Sequence, residues 1–236
     1  VYGAVVVLSS KQQAEALRSL GANRSFVDLD RVAVWGWSGG GTNTLNLMFR
    51  SPELYKVGMS VAPVPDQRLY DTIYQERYMG LPKDNPEGYR LGSPINFAEG
   101  LKGKLLLVHG TGDDNVHYQG TERLINRLVE LGKPFDMMAY PNRTHSISEG
   151  PGTTAHLYHL IARYFVDNLP PGRGVVVLAV NNNRFHFSPA LVARQLRGRP
   201  LLLESPTLRQ FVAENPTPKV RTQPGRLPGI LPGIMD

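Results

Sequence analysis

Short apolar runs alternate with amphipathic stretches through positions 1–170 of the chain. The apolar runs are rich in β-branched residues and end at polar or turn-forming residues, which is typical of buried strands. They predict strands at residues 1–8, 31–35, 57–62, 105–108 and 135–140. Amphipathic periodicity predicts helices at residues 11–20, 42–50, 121–131 and 156–169. Because strand and helix alternate, we expect an α/β fold with a mostly parallel sheet and helices on both faces.

Three tyrosines recur at intervals of four residues, at positions 70, 74 and 78. This spacing predicts one helix that carries all three rings along a single face. Spacing alone favours a stripe of core residues, and the alternative is the wall of a binding pocket.

The end of the chain differs from the rest in composition, which divides the sequence into positions 1–170 and 171–236. The first part carries 17 basic and 17 acidic side chains, whereas the second carries 9 basic and 3 acidic ones and 9 of the 19 prolines. A neutral body does not favour nucleic acid as a partner. In the second part we expect a strand at 175–180, a helical turn at 190–196, and a poorly ordered tail beyond residue 200.

Two absences in the sequence narrow the function classes. The chain contains no cysteine, so disulfides and thiolate metal sites are excluded. No run of eighteen apolar residues occurs, so no membrane span is predicted.

The segment Trp35-Gly36-Trp37-Ser38-Gly39-Gly40-Gly41 lies between a predicted strand and a predicted helix. A Gly-x-Ser-x-Gly sequence in this context predicts a tight turn that exposes the hydroxyl of Ser38 as a nucleophile. Glycine is expected at Gly36 and Gly40 because a Cβ there would collide with the turn. The amides that begin the helix point to the same place and would stabilise an oxyanion.

Ser38 is followed along the chain by Asp113 and then by His145, each on a loop after its own predicted strand. Nucleophilic hydrolysis needs a serine, a base that takes its proton and an acid that orients the base. Loops at the carboxyl ends of parallel strands meet at one edge of the sheet. Spacing leaves Asp114 open as an alternative acid, with one carboxylate orienting the imidazole and the other capping the loop.

The remaining histidines of this region carry weaker predictions. His109 is expected to be packed or hydrogen-bonded within its loop, and His117 to be structural. His156 and His159 are three residues apart on a predicted helix, a spacing that suits a metal ion, but no third ligand is evident. We therefore predict neither a metal nor a cofactor.

Several blocks of the sequence together resemble the C-terminal hydrolase domain of the prolyl oligopeptidase family, in its dipeptidyl peptidase IV branch. The blocks are Gly36-Trp37-Ser38-Gly39-Gly40, Val61-Ala62-Pro63-Val64, Tyr70-Asp71 with residues 74–82, residues 109–117 and Asn142-Arg143-Thr144-His145. The resemblance covers about residues 24–170. It implies an α/β-hydrolase fold and a serine peptidase that cleaves peptides after a penultimate proline or alanine. It also implies that Asp113 is the acid of the triad.

The resemblance assigns further residues to substrate binding, and it revises the prediction for the tyrosines. It implies that the pocket for the penultimate proline or alanine is lined by Tyr70, Tyr74, Val64 and Val116. It further implies that Asn115 donates a hydrogen bond to the substrate carbonyl and that the backbone N–H of Gly39 contributes to the oxyanion hole.

The sequence also departs from the family pattern. The resemblance leads us to expect that the β-propeller preceding this domain in the family, and most of the domain's early strands, are not represented in positions 1–236. Tyr2 is a weak candidate for the second oxyanion donor, because Ala4-Val5 breaks the family's motif. Two alternatives therefore stay open: a general esterase or acyl-peptide hydrolase, and a truncated fragment without activity. The resemblance allows a homodimer and weakly favours a periplasmic or secreted location.

Overall fold

A computed structural model of the chain describes residues 2–25, 27–169 and 175–181, the last of these as a backbone strand. The strands are β1 (Val27–Trp37), β2 (Val57–Val61), β3 (Lys104–Gly110), β4 (Asp136–Tyr140) and β5 (Val175–Asn181). The α-helices are α1 (Val7–Asn23), α2 (Gly39–Arg50), α3 (Thr72–Met79), α4 (Pro86–Gly92), α5 (Tyr118–Glu130) and α6 (Thr153–Asn168). Two 3₁₀ helices, Gln67–Leu69 and Pro94–Gly100, lie between these elements.

The five strands form one sheet in the order β4-β3-β2-β1-β5, and every neighbouring pair is parallel. Parallel neighbours need crossover connections, and the helices between successive strands supply them. All carboxyl ends therefore lie at one edge of the sheet, where the loops after β1, β3 and β4 meet. The predicted parallel α/β fold is confirmed.

Alternate residues of β1 enter two separate hydrophobic cores. Val32 and Val34 pack in the core that α1, α2 and α5 cover, together with Leu105 and Leu107 of β3. Trp35 and Trp37 point to the opposite face, where they pack with residues of α6. Because successive side chains of a strand point to opposite faces, this pattern shows helices on both sides of the sheet.

Helix α2 is held close to the sheet by buried polar contacts. The hydroxyl of Ser60 in β2 donates to the backbone oxygen of Gly41 at 2.9 Å. The hydroxyl of Thr42 accepts from the backbone N–H of Val64 at 2.8 Å. All four residues are buried. These contacts fix the start of α2 against the loop that follows β2.

The prediction of a strand at residues 1–8 is wrong. Residues 2–6 form turns, and α1 begins at Val7 after Val6, which has a positive φ of 63°. An apolar β-branched run does not by itself distinguish a strand from a buried helix segment. Helix α1 is stabilised by its buried residues Ala14 and Leu17, which pack into the core beside α2.

The three tyrosines do not lie on a single helix. Tyr70 ends the short 3₁₀ helix, whereas Tyr74 and Tyr78 belong to α3. The carboxylate of Asp71 accepts from the backbone N–H of Tyr74 at 3.2 Å and thereby caps α3 after Tyr70. Aspartate competes for backbone hydrogen bonds in this way, so it favours a helix start over a helix interior.

Strand β5 comes from the part of the chain that was predicted to be an extension. The strand expected at 175–180 is present and pairs with β1, with Ala33 opposite Leu178 and Gly36 opposite Asn181. The helical turn at 190–196 and the tail beyond residue 200 lie outside the described residues. The division of the chain after residue 170 stays a prediction. Of the helices that the structure describes, none has the length and apolarity to cross a membrane.

Candidate active site

Ser38 occupies the turn between β1 and α2 in a strained backbone conformation. Its φ is 58° and its ψ is −122°, which L-residues rarely adopt. The backbone N–H of Ser38 donates to the oxygen of Val61 at 2.9 Å, which holds the turn against β2. A Cβ on Gly36 would lie 2.3 Å from the oxygen of Gly40, so only glycine fits there. This is the geometry expected of an exposed nucleophile.

Helix α2 begins directly after Ser38, at Gly39. Thr42 is the first residue whose N–H bonds back to Ser38, at 2.9 Å. The amides of the first helical residues therefore have no partner within the helix. A Cβ on Gly39 would meet nothing within 4 Å, so the space beside it is open. A developing negative charge next to Ser38 would face these amides and the positive end of the helix dipole.

Asp113 lies on the loop after β3 and is buried, with 4% of its surface exposed. One oxygen, Oδ1, accepts from the backbone N–H groups of Asn115 at 3.0 Å and Val116 at 2.9 Å. The other, Oδ2, contacts Nδ1 of His145 at 2.8 Å. Burial raises the pKa of the Asp113 carboxyl, but hydrogen bonds from His109 and His145 outweigh it and hold this pKa well below its usual range. Asp113 is therefore an acceptor only.

Asp113 combines two roles that the sequence left divided between neighbouring aspartates. It caps the amides of its own loop and also contacts the imidazole. Asp114 is exposed to solvent.

His145 lies on the loop between β4 and α6, and hydrogen bonds within that loop hold it in shape. Arg143 donates from Nη1 to the oxygen of Pro141 at 2.9 Å and from Nε to the oxygen of Glu149 at 3.1 Å. The carboxylate of Glu149 accepts in turn from Thr144, through both its N–H and its hydroxyl. The contact with an ionised Asp113 requires that Nδ1 of His145 carries the hydrogen. Nε2 is then the nitrogen that can accept a proton.

The loops after β3 and β4 approach each other closely beneath His145. A Cβ on Gly110 would lie 2.2 Å from the backbone oxygen of Arg143. The backbone N–H of Gly112 donates to the same oxygen at 3.1 Å. The lack of a side chain at Gly110 thus lets the Asp113 loop and the His145 loop touch.

Trp37 joins the serine turn to the histidine loop. Its indole Nε1 donates to the backbone oxygen of His145 at 2.9 Å. Among the residues that the structure describes, no hydrogen bond joins the hydroxyl of Ser38 to His145. Catalytic hydrogen bonds are often long without a bound substrate and tighten when it binds. Sequence reasoning missed this role of Trp37, because no local pattern indicates a bond between two positions so far apart along the chain.

Sequence reasoning also missed a second imidazole at the carboxylate. Nε2 of His109 lies 3.0 Å from Oδ2 of Asp113, and His109 is fully buried. The prediction that His109 is hydrogen-bonded within its loop is confirmed, but its partner is the candidate triad acid.

The residues assigned to the substrate pocket lie on separate elements, and contacts join three of them. The hydroxyl of Tyr70 donates to Oδ1 of Asn115 at 3.1 Å, and the rings of Tyr70 and Tyr74 meet edge-on at 5.7 Å. Burial, together with the charge of Asp71, raises the pKa of Tyr70, so its hydroxyl stays protonated and can donate. Since Oδ1 of Asn115 is thus engaged, its Nδ2 is left to donate to a substrate carbonyl.

The two valines assigned to the pocket are both buried. Val64 is held by the contact of its N–H with Thr42 in α2, and Val116 by the contact of its N–H with Asp113. Tyr74 is 45% exposed, so one side of this aromatic group faces solvent.

Two weaker candidates have other contacts. The ring of Tyr2 is 80% exposed and lies 5.9 Å from that of Tyr78. Nδ1 of His156 is bonded to the hydroxyl of Tyr140 at 2.7 Å. Within the described parts of the chain, no group of three acidic or histidine side chains is placed to hold a metal ion.

Comparisons with known proteins agree with this architecture. A sequence model of the prolyl oligopeptidase family matches residues 7–171. Dipeptidyl peptidase 8 of Homo sapiens is 41% identical over 163 residues, which are 66% of this chain and 18% of that protein. Dipeptidyl peptidase 4 of Felis catus is 39% identical over 161 residues, which are 66% of this chain and 21% of that protein.

A solved structure with the same fold is the crystal structure of Porphyromonas gingivalis dipeptidyl peptidase 4. It matches with a TM-score of 0.69 and 42% sequence identity, over 71% of this chain and 24% of that chain. This chain therefore spans about a fifth to a quarter of the length of such relatives. The likeness identifies the fold as the α/β-hydrolase fold, of which the chain holds a part.

Proposed function

The chain belongs to the prolyl oligopeptidase family, and from this premise we propose that it is a serine peptidase of the dipeptidyl peptidase type. It would cleave peptides after a penultimate proline or alanine. The observation that carries the proposal is the 2.8 Å contact between Nδ1 of His145 and Oδ2 of Asp113, at the sheet edge where Ser38 stands in a strained turn. No metal or cofactor is needed for this chemistry.

The first half of the proposed reaction is transfer of the acyl group to the enzyme. Nε2 of His145 takes the hydroxyl proton of Ser38 while its oxygen attacks the carbonyl carbon. The ionised Asp113 stabilises the imidazolium that forms. The carbonyl oxygen becomes an oxyanion, which accepts from the N–H of Gly39 at the start of α2. Nε2 then gives its proton to the leaving amine, which departs from the acyl-enzyme.

The second half releases the product through the same residues. Water loses a proton to Nε2 of His145 and attacks the acyl carbon. The second tetrahedral intermediate collapses, and the proton passes back to the oxygen of Ser38.

Substrate selection in this proposal rests on the aromatic pocket. A pyrrolidine ring offers apolar surface and few hydrogen-bonding groups, which suits a pocket lined by Tyr70, Tyr74, Val64 and Val116. Nδ2 of Asn115, free because Tyr70 engages Oδ1, would donate to a backbone carbonyl of the peptide other than the one that Ser38 attacks. The peptide is thus the proposed partner, whereas the homodimer and the periplasmic or secreted location stay predictions.

Labelling with a fluorophosphonate probe tests whether Ser38 is an activated nucleophile. We expect one label per chain in the wild type and none in Ser38→Ala. The matched control is Ser146→Ala, which removes an exposed serine next to His145 and should keep the label. Absence of the label from soluble wild-type protein would overturn the proposal and favour an inactive fragment.

A pair of substrates tests the specificity. We expect hydrolysis of a chromogenic Gly-Pro amide as well as of a p-nitrophenyl ester, with both activities lost in Ser38→Ala. Hydrolysis of the ester alone would overturn the dipeptidyl specificity and favour a general esterase or acyl-peptide hydrolase.

A further inference from the structure

The carboxylate of Asp113 is fully occupied by four hydrogen-bond donors. Backbone N–H groups of Asn115 and Val116 bond to Oδ1, at 3.0 and 2.9 Å. Two imidazoles share Oδ2: Nδ1 of His145 at 2.8 Å and Nε2 of His109 at 3.0 Å. The charge of this one oxygen is therefore divided between the base of the proposed triad and a second histidine.

The surroundings of His109 determine which of its nitrogens carries hydrogen. Nε2 faces two acceptors, Oδ2 of Asp113 and the backbone oxygen of Val116 at 2.8 Å, so Nε2 must carry the hydrogen. Nδ1 then accepts from the hydroxyl of Thr121 in α5 at 2.7 Å. His109 and Thr121 are both fully buried, and the ring of Tyr118 lies edge-on to the imidazole at 5.5 Å.

We propose that His109 is a positioning residue that sets both the orientation and the effective charge of the Asp113 carboxylate that His145 meets. This inference rests on the proposed hydrolytic function. The N–H of His109 holds Oδ2 from a fully buried ring, so the rotation of the carboxylate group does not depend on the partly exposed His145 alone. His109 also withdraws part of the negative charge of Oδ2 from His145.

The second effect predicts how the contact between His145 and Asp113 changes when His109 is removed. Without His109, the whole charge of Oδ2 acts on His145. The hydrogen bond from Nδ1 of His145 to Oδ2 then becomes stronger, because it no longer shares its acceptor with a second donor. Loss of orientation acts on the rate itself, because a tilted carboxylate holds the base less well for proton transfer.

The other ionisable groups around these imidazoles that the described residues show are two tyrosines and two residues of the same loop. Burial raises the pKa of Tyr118, and the charge of Glu122 adds to this effect, so its phenol stays neutral. Burial likewise raises the pKa of Tyr70, whose neighbours include Asp113. The same loop carries the exposed residues Asp114 and His117.

Three variants separate the positioning role from packing. His109→Gln keeps a donor where Nε2 stood, whereas His109→Leu fills the same space without one. Thr121→Val removes the donor to Nδ1 with almost no change in shape, and it leaves the residues of the triad untouched. Thr121→Val therefore still tests the inference if His109→Leu fails to fold.

We expect His109→Leu to lower kcat for a p-nitrophenyl ester about tenfold at nearly unchanged KM, the effect of one lost buried hydrogen bond. His109→Gln should restore kcat, and the kcat of Thr121→Val should lie between those of wild type and His109→Leu. An equal kcat for His109→Leu and wild type would overturn the inference, as would an equal kcat for His109→Leu and His109→Gln.

A measurement without turnover separates this inference from the proposed function. In protein with ¹⁵N-labelled histidine, nuclear magnetic resonance identifies the protonated nitrogen of each ring. We expect hydrogen on Nε2 of His109, and a downfield move of the Nδ1 proton of His145 in His109→Leu. Hydrogen on Nδ1 of His109, or an unmoved His145 signal, would overturn the inference even if Ser38 reacts with the probe. Both expected signals in a protein that resists the probe would support the inference and refute the proposed function.

Discussion

Trp37 Nε1 donates a hydrogen bond to the backbone oxygen of His145 at 2.9 Å. Trp37 immediately precedes the strained Ser38, so one peptide bond separates this contact from the candidate nucleophile. The indole is 6% exposed and packs among the residues under α6. This hydrogen bond connects the serine turn to the histidine loop. Its acceptor is a main-chain atom, so no side-chain substitution at position 145 removes it.

Substitution of Trp37 by phenylalanine should loosen this connection. It leaves the partly buried carbonyl of His145 without its donor, at a cost of about 1 kcal/mol. We expect kcat for the p-nitrophenyl ester to fall about tenfold with little change in KM. Steady-state kinetics and urea unfolding measure the two effects.

Trp35 provides the control for that substitution. It lies two residues earlier on the same face of β1, and it is buried in the same core. Trp35→Phe should lower the free energy of unfolding through lost packing but leave kcat nearly unchanged. A similar fall of kcat in both variants would contradict a specific role for the bond from Trp37.

The lowered pKa of Asp113 predicts how stability depends on pH. A carboxyl whose pKa is lower in the folded state stabilises the fold above its unfolded pKa of about 3.9, and this contribution is lost as the pH falls through the folded value. The difference in unfolding free energy between wild type and Asp113→Asn should therefore narrow as the pH falls from about 5 to 2. Chemical denaturation at a series of pH values measures it.

Asp66 is a second carboxylate whose lowered pKa makes stability depend on pH under acidic conditions. Burial raises the pKa of Asp66, but hydrogen bonds from Arg68 outweigh it and lower this pKa as well. Asp66 is present in wild type and in Asp113→Asn, so its contribution cancels in the difference between them. A difference that stays constant down to pH 2 would show that Asp113 is not stabilised in its ionised form.

Removal of the hydroxyl of Tyr70 should affect peptide substrates more than esters. Tyr70→Phe frees Oδ1 of Asn115, so the amide is no longer oriented to donate to the substrate. We expect kcat/KM for the Gly-Pro amide to fall about five- to tenfold, the effect of one hydrogen bond. Hydrolysis of the p-nitrophenyl ester, which offers no such carbonyl, should change little.

Two further variants check the route through Asn115. Tyr78 is the last of the three regularly spaced tyrosines, and its ring lies 4.8 Å from that of Tyr74. Tyr78→Phe is therefore a matched control that should behave as wild type. In the double variant Tyr70→Phe/Asn115→Ala, the losses should not add. Additive losses would mean that Tyr70 and Asn115 act on the substrate separately.

Strand β5 predicts where the chain can be shortened. It pairs with β1 from Val32 to Gly36, and without it those backbone groups form an open sheet edge. A chain that ends after Leu169 should aggregate and lose fluorophosphonate labelling, whereas one that ends after Asn181 should keep both solubility and label. Light scattering and labelling distinguish them, and equal behaviour of the two chains would contradict a role for β5.

The positions of most strands along the chain, and of the candidate catalytic loops after them, could be predicted from the sequence because each signal is local. Apolar runs marked β2, β3 and β4 within a few residues, and the turn around Ser38 has its own glycine pattern. The start of β1 was missed, since Asp28 and Asp30 interrupt its apolar character. Residues 1–8 were misassigned because the packing of α1 against α2 depends on positions far along the chain.

The roles of Trp37 and His109 could not be predicted for a related reason. Both act through the direction of a side chain toward a loop whose position the whole sheet determines. For His109 the distance along the chain is short, since it precedes Asp113 by only four residues. A histidine at the end of a strand that also supplies the acid loop is a usable signal, once the strand and the acid are known.

The pairing of β1 with β5 has a consequence for synthesis on the ribosome. Ala33 meets Leu178, which is synthesised much later, after every other strand of the sheet. Contacts so distant in sequence form slowly, because a long loop must close first. We therefore expect the nascent chain to expose the flank of β1 until residues 175–181 have been made, which makes the strand that carries the serine turn a binding site for chaperones.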